Sequence, residues 1–199
     1  NKTMNIAIVK YNAGNILSVT YALERLGISP VVTDDIELLQ KADHVIFPGV
    51  GEASTAMAYL KDRNLDTVIK NLKQPVLGIC LGMQLLCSYS EENDTKCLSV
   101  FDERVVSFLP NGTDKIPQVG WNTISNCSTN LFNGVAGNAY CYFVHGYYAA
   151  LGTDTIATTN YILPYSAALR KNNFYGVQFH PEKSATVGEK ILQNFLDIV

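Results

Sequence analysis

The sequence predicts an α/β fold with a mostly parallel central sheet, flanked by helices and extended by additional antiparallel strands. Short apolar runs alternate with segments of helical period through the first half of the chain, the pattern of βαβ units. In the second half, polar loops separate short strand-like runs, which is typical of antiparallel or mixed pairing. The 199 residues suit a single domain, 1–199, because domains usually contain about 100–200 residues.

Four predicted strands and the helices between them make up the first half. The strands cover residues 5–9, 31–33, 44–47 and 76–79. The first helix follows a turn at residues 12–14 and ends before Gly27, a typical stop; its apolar stripe is Ile16, Val19, Leu23 and Leu26. Further helices are predicted at 35–41, from Glu52 onward and at 81–89. The run at 76–79 is continuously apolar, which predicts a strand buried on both faces.

The second half is predicted to contain five more strands and a closing helix. The strands lie near residues 104–108, 140–144, 156–160, 167–171 and 174–178. The closing helix is amphipathic, and its apolar face consists of Val187, Ile191, Leu192, Phe195 and Leu196. No repeat or low-complexity linker separates the two halves.

The composition excludes several classes of protein. Fifteen basic against eighteen acidic residues give a net charge of −3, so we expect neither a nucleic acid nor a membrane as partner. No apolar run reaches the ~20 residues that span a bilayer, and no secretory signal is visible, so we expect a cytoplasmic protein. Residues 1–3 precede Met4, and we interpret them as a cloning remnant or an alternative start.

Cys80 is the predicted nucleophile. It stands between Gly78 and Gly82 where a buried strand runs into a helix, the nucleophile-elbow pattern with sulfur in place of oxygen. Only residues without Cβ fit the sharp turn, and the helix N-terminus favours the thiolate. Free cysteine is more often a small buried hydrophobe, and this stays our interpretation of the other four, Cys87, Cys97, Cys127 and Cys141. The odd number and the lack of a CxxC pair disfavour both disulfides and a metal site.

His180 is the best candidate for the base. In Gln-Phe-His-Pro-Glu the proline favours an extended histidine, so the imidazole and the Glu182 carboxylate are able to emerge on one side. Glu182 would then fix the tautomer and stabilise the imidazolium. An isolated His-x-Glu is more often a surface pair. We interpret His44 as structural and His145 as structural or as lining the pocket.

Two backbone N–H groups are needed for the oxyanion. Leu81 N–H is one candidate, and the loop of residues 48–51, which contains Gly49, Val50 and Gly51, is able to present a second. The alternative for this loop is a dinucleotide cradle, which Ser54 disfavours because it replaces the third glycine of that motif.

These motifs together resemble the class I, triad-type glutamine amidotransferases. The elbow, the Pro-Gly-Val-Gly loop and the Gln178–Ser184 run occur in the order Cys, His, Glu. Within the class, the chain is most similar to the glutaminase subunits of imidazole glycerol phosphate synthases. That likeness rests on Tyr-Asn-Ala-Gly-Asn at 11–15, Gly-Trp-Asn at 120–122 and Tyr-Phe-Val-His at 142–145. Residues 90–101 depart from the pattern because they lack the expected glycine-rich stretch.

The resemblance implies a flavodoxin-like core and a glutaminase that needs no cofactor. Cys80 would form a thioester with glutamine, and the ammonia would pass to a (β/α)₈-barrel cyclase partner in a heterodimer of histidine biosynthesis. Activity would be weak until the partner is loaded. The implied ligands of glutamine or its oxyanion are Gly49, Val50, Gly51, Leu81, Gln84, Gly146 and Tyr147, and the implied interface residues are Asn15, Tyr142 and Lys183.

Three alternatives remain open from the sequence. The chain could serve another synthase, such as one of pyridoxal phosphate or surface-sugar synthesis. It could be a free-standing γ-glutamyl hydrolase with the same three residues. It could also be a binding module whose triad is inert, in which case Cys80→Ala would leave its activity unchanged.

Overall fold

The structure is a computed structural model and describes residues 3–199. Its strands in chain order are β1 Ile6–Val9, β2 Val31–Thr33, β3 His44–Phe47, β4 Val76–Ile79, β5 Tyr89–Ser90, β6 Thr95–Lys96, β7 Arg104–Ser107, β8 Gln118–Ile124, β9 Ala139–His145, β10 Tyr147–Ala149, β11 Thr155–Tyr161, β12 Leu163–Lys171 and β13 Phe174–Val177. The α-helices are α1 Ile16–Arg25, α2 Ile36–Lys41, α3 Ala53–Asp62, α4 Leu65–Lys70, α5 Leu81–Leu86 and α6 Ala185–Leu196, and 3₁₀ turns cover Asn130–Phe132 and Pro181–Lys183.

A seven-stranded sheet with the order β11-β12-β13-β4-β3-β1-β2 forms the centre of the molecule. The five consecutive strands β13, β4, β3, β1 and β2 run parallel to one another, whereas β12 and β11 add antiparallel pairs at the β13 edge. Smaller sheets are formed by β10-β7-β5-β6 and by β8-β9. The predicted fold class is therefore confirmed.

Apolar side chains cover both faces of the central sheet. Alternate residues of β1 show the division, since Ile6 and Ile8 pack with α1 and α6 whereas Ala7 and Val9 pack with α3 to α5. Every residue of β1, β3, β4 and β13 is buried. A strand buried on both faces needs no polar alternation, which is why these strands appear as continuous apolar runs.

The structure differs from the sequence predictions at several elements beside the site, including the short strands β5, β6 and β10, which were not predicted. Helix α5 ends at Leu86 rather than at residue 89, because the chain turns at Cys87 and Tyr89–Ser90 then pairs with β6 and β7. Strand β8 was not predicted. It contains Gly120 and exposed positions such as Val119 and Trp121, and its order comes from pairing with β9 along its whole length.

The carboxyl ends of the four central parallel strands lie at one edge of the sheet. The segments that follow β1, β3, β4 and β13 begin with Lys10, Pro48, Cys80 and Gln178. In open α/β sheets, ligands bind in the crevice outside this edge. The predicted elbow, loop and His-Pro-Glu run are thus neighbours in space.

Candidate active site

Cys80 occupies a sharp turn between β4 and α5. Its backbone lies at φ 54° and ψ −109°, a strained conformation that brings the next residues back over the strand. A Cβ on Gly82 would lie 1.8 Å from the Phe47 carbonyl oxygen, and a Cβ on Gly78 would lie 2.8 Å from Met83 N. Both glycines are therefore required by close backbone contacts, as the elbow pattern predicts.

His180 and Glu182 form a buried pair. His180 Nδ1 and Glu182 Oε1 are 2.6 Å apart, and the two side chains are 1% and 0% exposed. The pair leaves His180 Nε2 free of other hydrogen-bond partners among the described residues. Burial lowers the pKa of His180, but the neighbouring Cys80 and the hydrogen bond to Glu182 outweigh this effect and raise the pKa to about 10. The charged imidazolium is thus favoured in this buried pair.

Asn15 belongs to the same cluster. It adopts a left-handed backbone at φ 76° just before α1, and its Nδ2 donates a hydrogen bond to Glu182 Oε1 at 2.7 Å. Glu182 Oε1 thus accepts from both Asn15 and His180. The resemblance assigns Asn15 to a partner interface, and the structure additionally places it against the triad carboxylate.

The loop of residues 48–51 holds the predicted oxyanion donor in a closed state. Leu81 N–H donates to the Gly49 carbonyl at 3.1 Å, so it is not free for a ligand in this orientation. The Tyr11 hydroxyl donates to the Pro48 carbonyl, and a Cβ on Gly49 would lie 2.1 Å from Tyr11 Oη. The loop is therefore clamped between the elbow and the segment that follows β1.

A cavity of about 260 Å³ opens beside the Cys80 sulfur. Its walls include six of the seven predicted glutamine ligands; Gly49 does not line it and contacts Leu81 instead. The six are Val50, Gly51, Leu81, Gln84, Gly146 and Tyr147. Its size suits a small polar molecule, because larger ligands occupy pockets of ~300 Å³ or more.

Glu92 is a wall residue that the sequence analysis missed. It follows the short strand β5, and its Oε1 accepts a hydrogen bond from Ala53 N–H at 2.8 Å. Burial and the nearby Glu52 raise the pKa of Glu92. No other acidic side chain lines this cavity within residues 3–199. Glu92 is thus the natural counter-ion for an ammonium group in the cavity.

His145 also lines the cavity and is a neutral, buried side chain. Its Nδ1 donates to the Tyr147 carbonyl at 2.7 Å, and its Nε2 lies 2.9 Å from Tyr165 Oη. Burial lowers the pKa of His145 to about 4. Its hydrogen bonds fix the wall of the cavity at Tyr147.

A family model supports the chemistry that this geometry indicates. Residues 8–199 match the model described as glutamine amidotransferase class-I. The chain belongs to the class I glutamine amidotransferases. Cys80, the His180–Glu182 pair and the adjacent small cavity are therefore the candidate glutaminase site.

Individual relatives narrow the position of this amidotransferase within the class. The chain is 57% identical over 196 residues to the imidazole glycerol phosphate synthase subunit HisH of Bacteroides thetaiotaomicron, covering 98% of this chain and 100% of the relative. It is 43% identical to the protein of the same name from Idiomarina loihiensis, with 98% of each chain covered. Among solved structures, a putative GMP synthase subunit from Thermoplasma acidophilum matches with a TM-score of 0.75 at 21% identity, covering 99% of this chain and 94% of that chain. That structural likeness shows the fold.

The two remaining predicted interface residues of the amidotransferase lie beside the triad. The Tyr142 carbonyl accepts a hydrogen bond from His180 N–H at 2.9 Å, and the Tyr142 ring packs edge-on against the exposed Trp121. Lys183 is exposed in the turn that carries Glu182. Both residues are therefore placed to link an outer surface to the catalytic turn.

Three further features of residues 3–199 concern disulfides, metal ions and membranes. All five cysteines are free thiols, and Cys80, Cys87, Cys97 and Cys141 are buried. Within residues 3–199, no group of three or more His, Cys, Asp or Glu side chains is arranged to hold a metal ion. No helix in the same range has the length and hydropathy needed to cross a membrane.

Proposed function

We propose that this chain is the glutaminase subunit of an imidazole glycerol phosphate synthase in histidine biosynthesis. It hydrolyses glutamine to glutamate and ammonia, and the ammonia passes to a (β/α)₈-barrel cyclase subunit. There it is used to form imidazole glycerol phosphate and an aminoimidazole carboxamide ribotide. The observation that supports this proposal most directly is the buried cluster of Cys80, His180 and Glu182 beside a small cavity. The chain also resembles synthase subunits over 98% of its length.

Cys80, His180 and Glu182 are the proposed catalytic residues. The Cys80 thiolate adds to the carboxamide carbon, and the tetrahedral intermediate collapses with cleavage of the C–N bond. His180 supplies the proton with which ammonia departs, and it then takes a proton from the water that opens the thioester. Glu182 keeps the His180 ring oriented through the 2.6 Å contact and stabilises its charge.

The oxyanion site requires a rearrangement of the loop at residues 48–51. Rotation of the Gly49–Val50 peptide would withdraw the carbonyl that now accepts from Leu81 N–H and would turn the Val50 N–H toward the site. Leu81 and Val50 would then donate together to the developing oxyanion, and one such donor is usually worth ~10²–10³-fold in rate. The closed loop accounts for an enzyme that is weakly active until its partner acts on it.

Binding of glutamine is proposed to use the remaining cavity residues. Glu92 receives the α-ammonium group, because a half-buried carboxylate is stabilised by an opposite charge. Gln84, Gly51, Gly146 and Tyr147 surround the rest of the amino acid. The carboxamide is thereby directed toward Cys80.

The proposed partner surface includes Asn15, Tyr142 and Lys183, which surround the turn of His180 and Glu182. We place the enzyme in the cytoplasm, because all five cysteines are free thiols and cysteines usually stay reduced in that compartment. No nucleic acid or membrane partner is part of the proposal.

The test is glutamate release from glutamine by the full chain, alone and with a cyclase subunit carrying its nucleotide ligand. We expect little release by the chain alone, strong stimulation by the loaded cyclase, and formation of imidazole glycerol phosphate. High activity without a partner would favour a γ-glutamyl hydrolase, and product with a different synthase subunit only would contradict the assignment. Cys80→Ala should abolish release and retain cyclase binding.

A further inference from the structure

The side chain of Gln178 is fully buried and reaches the sulfur of Cys80. Its Nε2 lies 3.6 Å from Cys80 Sγ, and the residue is 0% exposed. The central sheet dictates this contact, because Val177 of β13 is paired in register with Ile79 of β4. The next residues, Gln178 and Cys80, are therefore neighbours where the two strands end.

The hydrogen-bond network fixes which end of the Gln178 amide faces the sulfur. The Tyr147 backbone carbonyl only accepts hydrogen bonds, so the Gln84 atom 3.0 Å from it is the amide nitrogen. The same nitrogen lies 2.8 Å from the Gln178 side chain, which must therefore present its oxygen to Gln84. The nitrogen of Gln178 is left to point at Cys80. A flipped amide would place two nitrogens in contact.

The other polar contact of the Cys80 sulfur favours the neutral thiol. The Cys80 thiol donates to the Val144 carbonyl at 3.6 Å, a contact that is lost when the thiol ionises. A hydrogen bond donated to the sulfur favours the thiolate instead, because it stabilises the charged form. Among the side chains that surround Cys80, Gln178 supplies such a donor without carrying a charge itself.

We propose that Gln178 is a sulfur-binding residue of this enzyme and that Gln84 is the positioning residue that aims it. The Gln178 N–H stabilises the Cys80 thiolate before attack. It does so again when the thioester C–S bond breaks and the sulfur leaves with the electron pair. Tyr147 and Gln84 also line the glutamine cavity, so the network connects the substrate wall to the nucleophile. This inference rests on the proposed function for its catalytic meaning, although the contact with the sulfur is independent of it.

Alkylation of Cys80 by iodoacetamide tests the contact directly. The rate is measured across acidic to alkaline pH in the full chain, with modification of Cys80 followed by peptide mass spectrometry. Gln178→Met keeps the volume and removes the donor, and we expect alkylation near neutral pH to slow about tenfold and the profile to move to higher pH. Gln178→Glu keeps the shape but brings a carboxylate to the thiolate, and we expect it to be slower still.

A purely structural role for Gln178 predicts a different result. In that case both folded variants would keep the wild-type pH profile, and the proposal would be overturned. Asn194→Leu is the matched control, because Asn194 is a buried amide that bonds the Leu131 and Asn133 carbonyls away from the site. Its loss should lower stability and leave the alkylation profile unchanged. Gln84→Met should move the profile in the same direction as Gln178→Met, by a smaller amount.

A second measurement needs no variant at position 178. In the wild-type chain labelled with ¹⁵N at glutamine side chains, the Gln178 amide signal should shift with pH together with the alkylation profile. A Gln178 amide signal that stays constant across this pH range would overturn the proposal. Glutamate release by the wild-type chain with the loaded cyclase is measured in parallel. If release is absent but the alkylation shift occurs, the proposed function fails and the sulfur contact stands; the reverse outcome removes only the sulfur contact.

Discussion

Gly188 lies in α6, outside the cavity, and its replacement by alanine is predicted to disturb the triad. A Cβ at this position would lie 1.8 Å from the Pro181 carbonyl oxygen and 2.7 Å from the carbonyl carbon. Both are backbone atoms, so no side-chain rotation relieves the overlap. Because Pro181 joins His180 to Glu182, any relief must move the turn that carries both residues.

The size of the effect follows from this overlap. The contact must lengthen from 1.8 Å to at least 3.0 Å, so the helix and the turn must separate by more than 1 Å. A ~1 Å misplacement of catalytic groups is able to cost ~10²-fold in rate. Overpacking typically costs ~1–3 kcal/mol, which lowers Tm by roughly 2–12 °C for a chain of this size. This change in stability is opposite in sign to that of an ordinary Gly→Ala substitution in a helix, which stabilises the fold by ~0.5–1 kcal/mol.

The assay combines thermal unfolding with kcat/KM for glutamine in the presence of the loaded cyclase. Gly137→Ala is the matched control, because nothing lies within 4 Å of a Cβ at that position. We expect Gly188→Ala to lose both activity and Tm while Gly137→Ala keeps both. Wild-type Tm and kcat/KM in Gly188→Ala would refute the reasoning about the turn.

Three further predictions concern the cavity and its surroundings. Glu92→Gln should raise KM for glutamine about tenfold and leave kcat nearly unchanged, because it removes the counter-ion of the α-ammonium group. Steady-state kinetics of the complex with the cyclase measure both constants, and an unchanged KM would contradict this role of Glu92. Tyr11→Phe should raise partner-free glutamate release about fivefold, since the loop loses the hydrogen bond that clamps Pro48, and an unchanged or lower rate counts against the clamp. The pKa of His145 falls from the usual 6.5 to about 4 in the folded protein, so the unfolded chain binds more protons between these values and stability is lost as pH falls through this window. His145 should contribute about 3 kcal/mol to the stability lost between neutral pH and pH 4, so the loss measured by urea unfolding should be smaller in His145→Gln; equal losses would exclude His145 as a cause.

The parallel half of the fold could be predicted closely because its signal is local. Strands such as Val76–Ile79 are buried on both faces, so they appear in the sequence as continuous apolar runs. Strand Gln118–Ile124 carries no such signal, because its order depends on a partner strand about 20 residues further along the chain. The end of α5 at Leu86 likewise depends on the pairing of Tyr89–Ser90 with strands of the smaller sheet.

The site could be predicted where a motif forces a geometry. The glycines around Cys80 permit the sharp turn and its close backbone contacts, and the proline after His180 favours an extended backbone at that residue. The structure brings the Cys80 and His180 side chains together. Glu92 has no motif, since only the folded turn after β5 carries it to the cavity. The orientation of Gly49 could not be predicted either, because glycine permits both orientations of the peptide and the choice depends on contacts with Tyr11 and Leu81.

The position of Gln178 illustrates the same limit. As a residue of a motif it stands two positions before His180 in the sequence, which gives no indication that its side chain contacts Cys80. The register between β13 and β4 sets it beside the sulfur, and the chain of amides from Tyr147 through Gln84 sets its direction. Side-chain orientation of this kind is decided by the network and not by the residue type.

The most direct measurement of the central claim is intact and peptide mass spectrometry of the enzyme quenched in acid during turnover of glutamine with the loaded cyclase. We predict a mass increase of one glutamyl group, located on Cys80 and absent from Cys80→Ala. Glutamate release without any adduct on Cys80, or with full activity in Cys80→Ala, would contradict the account.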